Sequence, residues 1–262
     1  GNKRAVGFEG DGFEQAERVF KDHSIPCTAL KSDKNGVIIK ELKDQGVNTL
    51  FLIPSQLAKI SVTGLFSRRN ALAEWVAARD DRIIIEDDYN GELRRSARAV
   101  CAFQSGCPDK TVYIGSFSKL LLPSVRIAYM VLPPFLCERF VKRRDIYNQT
   151  CGKVEQLALK EYIETGALEK HLRRLRKLYS EKSRVFCRVL SELLPNNRYV
   201  LYESALTAAV KVYGSADEIY KTARNAGIAL AKTDKSDEIR LCFAGIAEKD
   251  IYPALKALTK CL

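Results

Sequence analysis

The chain has 262 residues, of which 46% are hydrophobic and 29% are charged, and its formal net charge is +11. This ordinary globular composition fits one large domain, or a large domain with a smaller companion. Apolar runs are too short to span a bilayer and the N-terminus lacks a signal-peptide pattern, so we expect a soluble cytoplasmic protein with no membrane partner.

Cysteine spacing and charge limit the ligands to consider. The eight cysteines form no C-x-x-C pair and the only histidines are His23 and His171, so we expect reduced thiols and no metal site. The basic balance favours an anionic partner, although the densest basic segment, 170–177, is typical of the solvated face of an amphipathic helix. Because Met130 is the only methionine and the chain begins at Gly1, we expect a piece of a longer protein.

In the first half of the chain, short apolar runs alternate with amphipathic segments. We predict strands at 5–9, 25–30, 49–53, 82–86, 111–115 and 127–132, and helices at 13–22, 37–45 and from Ser67 onward. A continuous apolar run such as Thr49-Leu-Phe-Leu-Ile53 is typical of a strand covered by helices on both faces. The alternation predicts an α/β fold with a parallel or mostly parallel sheet.

From Phe135 onward the pattern changes. We predict helices at 135–147, 153–164, 168–193, 216–225 and 249–262, and strands at 199–202, 206–212, 228–231 and 238–243. Strands mixed with segregated helices are typical of an α+β domain. We therefore expect a large α/β domain over residues 1–165, including an interdomain helix, and a small C-terminal α+β domain over residues 166–262.

Lys119 is the strongest candidate for a functional residue. It follows an apolar strand and two serines, Ser116 and Ser118, and Arg126 comes seven residues later. A lysine amine among apolar residues is partly desolvated, which favours the neutral amine that imine chemistry needs. Hydroxyls and a guanidinium can bind a phosphate. The group suits a pyridoxal phosphate (PLP) pocket in which Lys119 is the catalytic, Schiff-base lysine.

A run of three acids ends the strand predicted about thirty residues earlier. Glu86, Asp87 and Asp88 are followed by Tyr89, and adjacent carboxylates at the end of a buried strand repel one another. An aspartate here can keep a pyridine nitrogen protonated, and Tyr89 can hydrogen-bond the ring oxygen. Two alternatives remain open, namely a divalent metal site with oxygen ligands and a simple exposed strand end.

Arg240 is a candidate anchor for a substrate carboxylate. It is the single arginine inside the strand pattern Glu238-Ile-Arg-Leu-Cys-Phe. Planar bidentate geometry suits arginine to a carboxylate, although an arginine that faces outward from the strand fits the same pattern. Other binding motifs are missing from the sequence, since the glycines near the N-terminus do not match a dinucleotide fingerprint and there is no Walker-type loop.

Three stretches together resemble a known family. IIIEDDYNGELR, VYIGSFSKLLLPSVRIAYMVLP and EIRLCFAG are similar to fold-type I aminotransferases and, more narrowly, to the aminotransferase-like domain of MocR-type regulators in the GntR superfamily. The resemblance runs from about residue 5 to the end. It implies a fold-type I PLP-binding large domain, incomplete at its N-terminus, and a small C-terminal domain. It also implies a homodimer that binds DNA through an N-terminal winged-helix domain and senses an amino acid or vitamer.

The resemblance also assigns roles to individual residues. Lys119 would be the Schiff-base lysine, and Asp87, rather than Asp88, would pair with the pyridine nitrogen. The remaining contacts would be Tyr89 at the ring oxygen, Ser116, Ser118 and Arg126 at the phosphate, and Arg240 at the effector's carboxylate.

The chain departs from the family pattern in two places. Segment 53–64 lacks the histidine and the second proline of the family's loop at the cofactor ring, and it is longer. Relatives also carry, before the point where this chain starts, the DNA-binding domain and a phosphate-cradling loop with a stacking aromatic. A helix N-terminus is a strong phosphate site, so these departures predict weak or absent PLP binding by this chain.

Three functions follow from these observations. The first is the PLP- and effector-binding domain of a bacterial MocR-type transcriptional regulator, with little or no transaminase activity. The second is a PLP-dependent aminotransferase that acts on an amino acid. The third is a degenerate module that binds no cofactor and serves only in assembly.

Overall fold

The computed structural model describes residues 5–9, 14–33, 35–54, 62–89, 91–93, 101–122, 124–194, 199–202, 206–231 and 236–262. Their backbone divides into two compact units. The first comprises the described residues up to Glu92 and those from 101 to Leu168, and the second comprises Leu93 and the described residues from Glu169 to Leu262.

The first unit is built on a mixed sheet with helices. Its strands are β1 (Val6–Glu9), β2 (Cys27–Leu30), β3 (Ser32–Asp33), β4 (Gly36–Val37), β5 (Thr49–Leu52), β6 (Ile83–Asp87), β7 (Thr111–Ser116) and β8 (Ala128–Val131). Its helices are α1 (Glu14–Asp22), α2 (Ile39–Asp44), α3 (Val62–Ala77), α4 (Phe103–Gly106), α5 (Pro134–Val141) and α6 (Lys153–Glu164). The order β2-β1-β5-β6-β7-β8 is parallel except for β8, which confirms the predicted, mostly parallel α/β sheet.

The core of this unit lies on both faces of the sheet, as the continuous apolar run of β5 predicted. Leu50 and Leu52 pack with Trp75 of α3 in one buried cluster, whereas Phe51 packs with Phe8 in the other. Successive residues of a strand point to opposite faces, so an uninterrupted apolar strand supplies side chains to two helical layers.

The second unit combines an antiparallel sheet with one long helix and two shorter ones. Its strands β9 (Tyr199–Tyr202), β10 (Thr207–Lys211) and β11 (Glu238–Cys242) lie in the order β11-β10-β9. Its helices are α7 (Ala167–Leu193, of which the first two residues belong to the first unit), α8 (Ala216–Asn225) and α9 (Ile251–Thr259). Phe186 of α7 stacks on Phe243 with ring centroids 4.6 Å apart, and both are fully buried. No helix in the described parts of either unit is long and apolar enough to cross a membrane.

Several predicted boundaries were wrong. Helix α3 begins at Val62, five residues before Ser67, because that serine lies inside the helix instead of capping it. Helix α5 ends at Val141, and a separate short turn of 3-10 helix covers Arg144–Ile146. The predicted strand at 228–231 is reduced to a single bridge between Ala231 and Arg240. The last helix is shorter at both ends, and α4 and the β3–β4 hairpin were not predicted.

Candidate functional site

Parallel pairing brings the two predicted strand ends to one edge of the sheet. Asp87, the last residue of β6, lies opposite Ile114 of β7, and the amide of Asp88 donates to the Ile114 carbonyl at 2.9 Å. Strand β8 runs the other way, so its first residue, Ala128, pairs with Ser116 at the end of β7. The residues that precede β8 therefore return to the edge where the acidic run ends.

The loop between β7 and β8 is held closed by its own hydrogen bonds. The amide of Phe117 donates to Ile127 at 3.0 Å, and the hydroxyl of Ser118 donates to the carbonyl of Val125 at 3.2 Å. The hydroxyl oxygen of Ser116 accepts from the amide of Ser118 at 3.2 Å, which leaves its own O–H available to another acceptor. Ser118 thus shapes the loop, whereas Ser116 can donate to an anion.

Arg126 lies at the end of this loop and is exposed. Within the described part of the chain, its guanidinium makes no hydrogen bond or ion pair. Its five N–H donors suit it to an anionic ligand.

Lys119 and Tyr89 meet at this edge. The Nζ of Lys119 lies over the Tyr89 ring, 4.1 Å from its centroid, in a cation–π contact. Tyr89 itself packs against the apolar cluster that contains Phe8 and Phe51, and this packing helps to fix the position of its ring. The predicted desolvation of the lysine was wrong, because Lys119 is exposed despite its apolar neighbours in the sequence.

Asp87 lies within electrostatic reach of Lys119. The pKa of the Asp87 carboxyl is raised to about 6, mainly by burial and also by the charge of Asp88, while the charge of Lys119 opposes the rise. A carboxyl group with this proton affinity can hold or release a proton near neutral pH, which is a property of functional sites.

Glu86 has a different partner from the other acids of the run. Its side chain is 1% exposed and accepts from the amides of Phe103 and Gln104 at 2.8 and 3.1 Å, at the start of α4. Burial raises the pKa of Glu86, and these two amides oppose the rise. The alternative of an exposed strand end was therefore wrong. Among the described residues, no group of three His, Cys, Asp or Glu side chains is placed to hold a metal.

Sequence reasoning missed the surroundings of Asp88. Its carboxylate is buried and accepts from the hydroxyl of Tyr113 at 3.4 Å. A Cβ on Gly91 would lie 2.3 Å from that carboxylate, so the absence of a side chain at residue 91 makes room for it. On the next strand, Tyr113 is beside Tyr129, and their ring centroids are 6.1 Å apart. The sequence did contain one signal, because successive side chains of a strand point to opposite faces and adjacent acids therefore have different surroundings.

Related proteins identify the family. No protein-family model matches the sequence. The chain is 32% identical over 264 residues to YhdI, an uncharacterized HTH-type transcriptional regulator of Bacillus subtilis, and the match covers 97% of the chain and 56% of YhdI. It is 27% identical over 223 residues to PdxR, the HTH-type pyridoxine biosynthesis regulator of Corynebacterium glutamicum, which covers 85% of the chain and 49% of PdxR. The chain corresponds to the aminotransferase-like region of the MocR-type regulators. It spans about half the length of these curated relatives.

Solved structures establish the fold of this MocR-type chain. It superposes on LysN, an α-aminoadipate aminotransferase of Thermus thermophilus, with a TM-score of 0.85 and 21% identity, covering 99% of the chain and 71% of LysN. A kynurenine aminotransferase of Pyrococcus horikoshii gives a TM-score of 0.82 at 24% identity, covering 98% of the chain and 69% of that protein. The predicted fold-type I aminotransferase architecture is confirmed.

Arg240 of the MocR-type chain lies in the second unit. It is in the middle of β11, opposite Ala209 of β10, and is partly buried. Its guanidinium lies 3.9 Å from the carboxylate of Glu238, two residues earlier on the same strand. The carboxylate-binding role predicted for Arg240 remains a prediction.

Proposed function

We propose that the chain is the PLP- and effector-binding domain of a MocR-type transcriptional regulator. The observation that supports this function best is the meeting of Lys119, Tyr89 and Asp87 at one edge of the sheet, beside an arginine without a partner in the described chain. An amine, a phenol, a tunable carboxyl and an anion site form the donor set that PLP requires.

The residues of this edge fit the cofactor by their chemistry. PLP, when bound, supplies a carbonyl carbon for the lysine and a ring that withdraws electrons. Lys119 would supply the amine, and its exposure gives a ligand access to it. Asp87 would hold a proton against the ring nitrogen, and the Tyr89 hydroxyl would orient the ring oxygen. Ser116 and Arg126 would donate to the phosphate, with Ser118 keeping the loop in shape.

The remaining parts of the proposal concern the whole regulator. Arg240 is our candidate for the carboxylate of an amino acid or vitamer effector, since a guanidinium binds a carboxylate through two parallel hydrogen bonds. Binding of that effector would shift the regulator between states with different DNA affinity. A winged-helix domain and a homodimer complete this proposal, and the similarity to HTH-type transcriptional regulators supports the DNA partner.

Titration with PLP tests the cofactor. We expect an absorbance band of lysine-bound PLP that is lost in Lys119→Ala and retained in Lys142→Ala, a control at another exposed lysine of the same unit. A band that persists in Lys119→Ala would contradict the role of Lys119, and no band in any variant at millimolar PLP would contradict the proposal and favour the assembly module. The coding sequence upstream of residue 1 should encode a winged-helix domain, and any other sequence there would contradict the regulator.

A PLP-dependent aminotransferase is the second candidate. It is favoured by a 26% match over 237 residues to the 2-aminoadipate transaminase of Thermus thermophilus, which covers 84% of the chain and 59% of that enzyme. In this function Lys119 would also move a proton between the substrate carbon and the cofactor. Sustained production of keto acid from an amino donor, lost in Lys119→Ala, would support the enzyme, whereas a spectral change without turnover would support the regulator.

A further inference from the structure

Phe117 anchors the turn that carries Lys119. Its amide donates to the carbonyl of Ile127 at 3.0 Å, and its own carbonyl accepts from the amides of Leu120 and Leu121 at 3.1 and 2.9 Å. These hydrogen bonds close the chain around the lysine, so the direction of the turn depends on where Phe117 is held. The side chain of Leu120 is 4% exposed, whereas Lys119 is exposed. The turn is therefore held by the packing of its neighbours rather than by burial of the lysine.

The ring of Phe117 packs against Tyr129 on the neighbouring strand β8. The two ring centroids are 5.6 Å apart, and the ring of Tyr113 lies 6.1 Å from that of Tyr129. Tyr129 pairs with Gly115, which lies between Tyr113 and Phe117 on β7, so its ring contacts both. The hydroxyl of Tyr113 donates to the carboxylate of Asp88 at 3.4 Å. A row of aromatic side chains thus links the end of β6 to the turn.

Gly115 makes room for this row. It is buried, and a Cβ at this residue would lie 2.3 Å from the ring carbon that bears the Tyr129 hydroxyl. Side chains at residues 113, 115 and 117 point to the same face of β7, because the side chains of a strand alternate. The Tyr129 ring therefore fills the place that a side chain at residue 115 would take. Any larger residue there would displace the ring, since the space is already filled.

We propose that Tyr129 is a positioning residue for Lys119, because its ring, set in the space left by Gly115, braces Phe117 and fixes the turn that presents the lysine amine. That amine lies over the Tyr89 ring, 4.1 Å from its centroid, and it can stay there only while the turn keeps its direction. Under the proposed function, an amine that is already oriented loses less freedom when PLP binds, which strengthens binding. That consequence rests on the proposed function, whereas the bracing of the turn does not.

Hydrogen exchange at the amides of Leu120 and Leu121, measured by NMR in protein without added PLP, tests the brace. In Tyr129→Leu their exchange should become about three- to tenfold faster, the factor that one aromatic pair contributes to a local equilibrium. Tyr129→Phe keeps the ring and should exchange as the wild type does. Tyr147→Leu removes an exposed tyrosine of the same unit and should have no effect. Amides of β5 should be unchanged in every variant, because losing the brace opens the turn and not the sheet.

A second variant and a second measurement complete the test. Gly115→Ala should displace the Tyr129 ring and give the same faster exchange, even if Tyr129→Leu does not fold. The Kd for PLP, measured by absorbance, should rise about three- to tenfold in both variants and return to the wild-type value in Tyr129→Phe.

Unchanged exchange at Leu120 and Leu121 in folded Tyr129→Leu, or an equal rise throughout β5, would overturn the proposal. When the wild type binds PLP, an unchanged Kd in these variants would also overturn it. Failure of the wild type to bind PLP would instead refute the proposed function and leave the exchange result valid.

Discussion

The buried contact between Glu86 and α4 provides a quantitative test of the fold around the site. Among the described residues, the carboxylate of Glu86 is the hydrogen-bond acceptor for the amides of Phe103 and Gln104 at the start of a four-residue helix. Phe103 in turn belongs to the buried cluster that contains Trp75. Removing the carboxylate should therefore loosen α4 and the core beneath it, and we consider Glu86→Ala and Glu86→Gln.

The expected loss follows from the two hydrogen bonds. A hydrogen bond to a charged group contributes about 1.5–3 kcal/mol, but the ionised Glu86 is also disfavoured by burial, which offsets part of this. We expect Glu86→Ala to lower the free energy of unfolding by about 3 kcal/mol. Glutamine keeps one acceptor and sets an N–H group against the other amide, so Glu86→Gln should cost about 1.5–2 kcal/mol.

Urea unfolding followed by Trp75 fluorescence measures these losses. Trp75 is the single tryptophan of the chain and is 3% exposed, so its emission reports on the first unit. Glu74→Gln, an exposed glutamate on the same helix as Trp75, serves as the control and should change stability by less than about 0.5 kcal/mol. A Glu86→Ala protein as stable as that control would refute the assignment of Glu86 to α4.

The pH dependence of the stability provides a second test of Glu86, because its direction can be predicted. Because the pKa of Glu86 is raised in the folded protein, the folded state binds the proton more tightly than the unfolded chain. Wild-type stability should therefore fall as the pH rises from the ordinary pKa of a glutamate through the folded pKa. Glu86→Gln should remove this part of the slope, and an unchanged slope would contradict the burial of an ionisable group at this position.

Two further predictions concern the first unit. A Cβ on Gly7 would lie 2.5 Å from a methyl group of the buried Leu30. Gly7→Ala should therefore lower the free energy of unfolding by about 1–3 kcal/mol in urea denaturation, and Leu30→Val in the same protein should restore part of the loss. Full stability of Gly7→Ala would contradict this packing. Burial raises the pKa of Glu9 from 4.5 to about 7, so its contribution to stability is lost as the pH rises between these values. Glu9→Gln should thus be more stable than wild type at pH 8, by up to about 3 kcal/mol in thermal or urea unfolding, and equal stability at that pH would count against it.

Sequence periodicity predicted the sheet well because its strands carry their own signal. The apolar run of β5 and the run that precedes the acids of β6 are buried between layers, and both strands were placed within one residue of their observed ends. Helix α4 could not be predicted in this way. It has four residues, and its two first amides are bonded to Glu86, seventeen and eighteen residues away in the chain. Structure that depends on a distant partner leaves no local pattern.

The sequence predicted which residues of the candidate site lie near one another, but it did not predict their surroundings. Strand ends of a parallel sheet meet at one edge, so the neighbourhood of Lys119 and the acidic run followed from topology alone. The environment of the lysine did not, because apolar neighbours in sequence do not have to surround a side chain in space, and Lys119 is exposed. The contact between Asp88 and Tyr113 also depends on the register of β6 against β7, which the sequence does not specify.

The acids at the end of β6 have different surroundings because successive side chains of a strand point to opposite faces of the sheet. Glu86 follows Ile84 by two residues, and both belong to the side of the sheet where Phe103 and Trp75 form a core. Asp87 follows Ile85 by two residues, and Ile85 packs with Tyr89 against the opposite cluster. The carboxyl of Asp87 therefore belongs to the opposite face of the strand from that of Glu86, and the charge of Lys119 acts on it. A one-residue deletion before Ile83 that preserved the pairing of β6 would exchange these faces, so that Asp87 would take the buried place of Glu86 against α4 and Asp88 would take the place of Asp87 at the site.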